Sequence, residues 1–158
     1  VGNLTGPLLL GRLFDTIGRR AMIAGTFILS ALLLLVTAVL FGAGVLTALT
    51  QTGAWMVIFF FASAAASSAY LTVSEIFPLE VRALAIALAY ASGTALGGAL
   101  SPLLFGWLIG SGERWHVAGG YALAALLMLG AGATEIVLGV DAEGRSLEDI
   151  SEPLASAM

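Results

Sequence analysis

The chain has 158 residues, of which 59% are hydrophobic and only 10% charged, with a mean hydropathy of +1.04. A soluble domain carries about 25% charged residues, so six cationic and ten acidic side chains cannot coat a water-facing globule of this size. The same arithmetic excludes a disordered chain, a collagen and a disulfide scaffold, since cysteine is absent and the 20 glycines follow no three-residue period. A net charge of −4 leaves no basic surface to neutralise phosphates, which excludes a nucleic-acid partner. The solvent this composition fits is lipid.

A hydrocarbon core of about 30 Å is crossed by about 20 helical residues. Uncharged runs of that size give four full spans, at residues 21–46, 54–76, 83–110 and 116–140, the last holding one interior acid, Glu135. Residues 1–11 form a partial span, too short to cross and without an initiating Met, and the chain reads as a fragment whose upstream part completes that helix. Residues 12–20 then form a loop, and 141–158 a tail. Every arginine except Arg114 falls on one side of this arrangement, which the positive-inside rule makes cytoplasmic. The expected fold is an all-α integral membrane protein, a polytopic helical bundle, because backbone in lipid must satisfy its own hydrogen bonds.

The first full span is the most uniformly apolar, interrupted by Thr26, Ser30 and Thr37, and is expected to face lipid over much of its circumference. In the second, Ser63, Ser67 and Tyr70 stack on one helical face. That face lines a cavity, or alternatively its small residues let helices pack closely, while Trp55 reads as an interfacial anchor. The third span carries a row of small residues at four-residue spacing that includes the pair Gly93 and Gly97, a pattern that brings helix backbones together. Pro102 in the same span removes a backbone donor and predicts a bend or hinge. Glu135 lies shallow enough to reach the headgroup level. No metal-ligand cluster, phosphate-binding loop or nucleophile and base pair is present, so neither an enzyme nor a cofactor is expected.

Two cytoplasmic connections concentrate the charge: GRLFDTIGRR at 11–20, and SEIFPLEVR at 74–82. The first resembles the G-R-L-x-D-x-x-G-R-R signature of the major facilitator superfamily. The second is similar to the S-E-I-F-P-x-x-x-R segment of its sugar-porter and metabolite/proton symporter branch. The tail stretch DAEGRSLEDI at 141–150 is similar to that branch's P-E-T-K-G-x-x-L-E-E-I, with the Pro and Lys lost. Motif order and spacing match the C-terminal half of a twelve-helix carrier.

The resemblance implies alternating-access transport of a small polar solute, a sugar, an organic acid or a similar metabolite, coupled to a proton, in the cell membrane with a cytoplasmic C-terminus. It implies a partner as well, the N-terminal six-helix half, which in this family usually carries the acids for proton coupling. It further implies a conformational charge network of Asp15, Arg19, Arg20, Glu75 and Arg82, in which Asp15 pairs with Arg82 and Arg19 with Glu75. The second span then lines the solute cavity through Ser63, Ser67 and Tyr70. A Gly-Pro pair that sugar porters carry upstream of the aromatic is replaced here by Ala and Ser, which leaves organic acids and other metabolites open beside sugars. The competing class is a truncated or accessory membrane subunit that does not transport.

Overall fold

The computed structural model describes residues 1–140, apart from the side chains of Leu71 and Glu75. The tail motif and any pairing by Glu75 lie outside the described residues. Five helices follow in order: α1 Gly2–Thr16, α2 Arg19–Gly42, α3 Ala48–Ile76, α4 Leu79–Gly110 and α5 Arg114–Leu138. Four of them, α2 to α5, are long and apolar enough to cross a membrane.

The segment expected as a loop at 12–20 is helical through Thr16, whose hydroxyl donates back to the Arg12 carbonyl at 3.1 Å. Ile17 and Gly18 alone separate α1 from α2, and Gly18 makes the reversal by adopting φ 110°, a region other residues rarely enter. Thr47 caps α3 in a reciprocal capping box with Thr50. Pro78 precedes α4, where its missing N–H costs nothing. Helix α4 runs unbroken through Pro102 to Gly110.

Helix α2 is the centre of the bundle rather than a lipid-facing strut, and packs on both α3 and α5. Its three hydroxyl residues mark the packed face: Thr26, Ser30 and Thr37 are all buried. Each donates to the carbonyl four residues earlier, at 2.7, 2.7 and 2.8 Å. A back-bonded hydroxyl is small and already satisfied, so it tolerates a neighbouring backbone where a leucine would hold it off. On the opposite face Leu29, Leu32, Val36 and Val39 are exposed, while Leu34 is buried in the core.

Helices α1 and α3 run parallel in close contact. A Cβ added at Gly2 or Gly6 would overlap the carbonyl oxygens of Met56 and Phe60, respectively. Further along, buried Phe14 packs with Ile23 and Ala64. Both helices therefore run toward the same end of the bundle, which brings the 11–20 and 74–82 motifs to that end.

At the other end Tyr121 of α5 gathers an aromatic cluster, with ring centroids 5.5 Å from Phe41, 5.3 Å from Trp55 and 5.9 Å from Phe105. Trp55 thus packs inward against α5 and stacks on Phe59 at 5.6 Å, where the sequence suggested an interfacial anchor. One ring touching α2, α3 and α4 together is worth more than its area alone, through edge-to-face geometry. Tyr121→Ala is expected to destabilise the bundle by about 2 kcal/mol, below the range for a fully buried aromatic, read as a lowered unfolding midpoint in detergent.

Helix α4 is open over much of its length. Tyr90, about a third of the way along, meets Tyr70 at 5.8 Å, and Phe105 meets Tyr121 near the far end. All residues from 91 to 103 are exposed.

Candidate functional site

The site begins where α1 turns into α2. Asp15 and Arg19 are four positions apart across the Ile17–Gly18 turn, which keeps them within reach at 3.7 Å. The Asp15 side chain is 71% exposed and that of Arg19 only 18%, so the pair has a wet and a dry side. A solvent-screened pair of this kind contributes little to stability. On its dry side a recess of about 160 Å³ separates α1 from α3, with Asp15 and Arg19 at one edge and Ser67 and Ser68 across from them. Phe14 and Ala64 close its base.

From that recess the α3 face runs inward to Ser63 and outward to Tyr70. Ser67 and Tyr70 are exposed along it, and Ser63 lies at its buried edge against Gly6. The Ser63 Oγ is buried without a hydrogen-bond partner, an unusual condition for a native hydroxyl. Tyr70 leans toward α4, where it meets Tyr90. The three residues stacked by spacing thus share one face, closed at Ser63 and open at Ser67 and Tyr70.

The charged residues do not all converge. Asp15 pairs with Arg19 rather than with Arg82, and the Arg82 Nε is buried with no hydrogen-bond partner. The physical reason is local: an i,i+4 pair across a two-residue turn forms without help, whereas contact with Arg82 requires α4 to close on α1, and those helices do not pack against each other here. Arg20 points the other way, toward α5, where its guanidinium donates to the Ile136 carbonyl.

The small-residue row of α4 makes no close packing among the described residues. A Cβ at Gly93 or Gly97 meets nothing within 4 Å. The glycines that bring backbones together are Gly2 and Gly6 of α1, with Gly132 of α5 set against Ile28 and the Ala24 carbonyl. Gly2 and Gly6 have the same four-residue spacing, a signal present in the sequence but hidden in a segment too short to attract attention as a span. Ser68 and Phe14 were also missed; Phe14 occupies a variable position of the first motif, and its role shows only when Ala64 is seen beneath it.

A family model described as "Sugar (and other) transporter" matches residues 3–154, nearly the whole chain. The chain belongs to that family. It is a multi-pass membrane protein of the major facilitator type, and the function that follows is transport of a sugar or related solute. Members of this family are transporters rather than enzymes, and among the described residues no cluster of His, Cys, Asp or Glu could hold a metal ion. No curated protein and no solved structure matches the chain.

Proposed function

We propose that the chain belongs to the C-terminal helical half of a proton-coupled secondary transporter that moves a small polar solute, a sugar, an organic acid or a similar metabolite, by alternating access. The observation that carries this reading is the α3 face of Ser63, Ser67 and Tyr70, open at Ser67 and Tyr70 beside the polar recess at the Asp15–Arg19 pair and leading inward to Ser63. Hydroxyl and phenol groups on an open helix face inside a bilayer suit a polar solute that sheds its water.

The unpacked middle of α4 supports a second helical body. With residues 91–103 exposed and its glycines in open space, α4 offers the flat backbone surface on which the N-terminal half of such a carrier seats. Arginines 12, 19, 20 and 82 share one end of the bundle, which makes that end cytoplasmic. The C-terminus then lies on the same side, in the cell membrane.

Expression in cells lacking endogenous sugar and organic-acid uptake tests the reading, with the chain alone and with the six-helix half it requires. Uptake of labelled solute is expected only when both halves are present, and a protonophore is expected to abolish accumulation. Uptake that is identical with and without this chain would make it an accessory subunit.

A further inference from the structure

The hydroxyl groups of these helices fall into two sets. Those of Thr26, Ser30, Thr37, Thr72, Ser92 and Thr134 each donate to the carbonyl four residues earlier and are satisfied within their own helix. Those of Ser67 and Tyr70 on α3, and of Tyr90 and Thr94 on α4, have no partner among the described residues. The second set is gathered in one place. Tyr70 and Tyr90 meet with ring centroids 5.8 Å apart and planes inclined at 50°. Ser67 lies one turn before Tyr70 on its helix, and Thr94 one turn after Tyr90.

All four side chains are open. Tyr70 is 40% and Tyr90 57% exposed, and Ser67 and Thr94 are exposed beside them. A phenol packs its ring and needs a partner for its hydroxyl, and within a bilayer lipid supplies none. The pair borders the open stretch 91–103 of α4, so whatever matches these hydroxyls lies between the two halves of the carrier.

The same surface is without charge. Residues 48–74 of α3 and 83–110 of α4 contain no Asp, Glu, Lys or Arg. A solute carboxylate would meet two rings with negative faces and no cation. An ammonium would be drawn to the rings but left without a counter-charge. A neutral ring bearing hydroxyls suits both features, its C–H face against the aromatics and its hydroxyls bonded to the phenols, Ser67 and Thr94.

We infer that Tyr90 is a solute-binding residue that works with Tyr70, and that the pair takes a neutral polyhydroxyl ring, a sugar or a cyclic polyol. This rests on the transport reading above and narrows its solute class. Uptake by the assembled carrier tests it, measured over a range of concentrations for labelled glucose, xylose and myo-inositol and for glucuronate, lactate and choline. Saturable uptake of at least one neutral ring is expected, with the three charged solutes at least about tenfold poorer. Tyr90→Phe should raise KM for the neutral solute about threefold and Tyr90→Ala about tenfold, with the maximal rate nearly unchanged. A hydrogen bond made equally before and during translocation appears in KM alone. The amount of carrier in the membrane and the unfolding midpoint are recorded for each variant, and if Tyr90→Ala unfolds, Tyr90→Phe, which keeps the ring against Tyr70, decides. An unchanged KM in Tyr90→Phe, or uptake confined to charged solutes, would overturn the assignment and leave the transport reading standing. Uptake of none of the six would overturn both.

Discussion

Gly6→Val is expected to be the most damaging replacement among the described glycines, lowering the stability of the protein by about 3 kcal/mol or more, at or above the upper end for overpacking. The added Cβ would overlap a backbone oxygen, that of Phe60, and come within 3.0 Å of the Ser63 Oγ. A flexible side chain can swing away; a carbonyl in the middle of α3 cannot without bending the helix. The β-branched Val also has too few rotamers to escape. Relief therefore comes only by moving α1 off α3, which exposes Phe14 and Ala64 and opens the recess beside Asp15. Gly93→Val and Gly97→Val supply the contrast, since they meet open space and should shift stability by no more than about 0.5 kcal/mol. Thermal unfolding in detergent, read by circular dichroism, separates the two cases. Equal effects at Gly6 and Gly93 would refute the assignment of α1 and α3 as the close-packed pair.

That contrast also marks how far the sequence could be read. Hydropathy and charge located the apolar segments because the bilayer imposes one length on every span, a constraint that acts on each helix separately. Helix packing obeys no such local rule. Four-residue spacing places Gly93 and Gly97 on one face, but it equally places Gly2 and Gly6 on one face, and nothing within either segment says what stands opposite. In α2 the surplus of leucine suggested lipid, whereas Thr26, Ser30 and Thr37 carried the information about the packed side. Hydroxyls in an apolar helix point inward for steric and hydrogen-bonding reasons, and a reading weighted by hydrophobicity alone inverts them. For the site, the α3 face was legible from spacing at Ser63, Ser67 and Tyr70. The charge partners were not, because Asp15 had two arginines within plausible reach and the choice depends on how far α4 stands from α1.

The largest functional effect is expected from exchanging those partners. In this structure Asp15 takes Arg19, and the Arg82 Nε remains buried and unmatched. A buried donor without an acceptor is costly, and if the protein alternates between two states, as proposed above, such a cost is tolerated when the other state supplies the acceptor. On the proposed alternating-access reading, the Asp15–Arg82 pair implied by the resemblance would be a contact of a second conformation, in which α4 closes toward α1 and Asp15 leaves Arg19. Asp15→Asn would leave the unfolding midpoint nearly unchanged, because the carboxylate is mostly exposed and its present pair is solvent-screened. Uptake by the assembled carrier would fall by about tenfold or more, within the usual span of coupling between two states. Arg82→Ala should lower uptake to a similar degree. Combined with Asp15→Asn it should add little, since both changes remove one contact and energies within a shared pair are not additive. The reversed pair, Asp15→Arg with Arg82→Asp, should recover part of the lost uptake. Independent, multiplying losses in the double variant, with no recovery in the reversed pair, would leave Asp15 and Arg19 as a static surface pair and place the gate elsewhere.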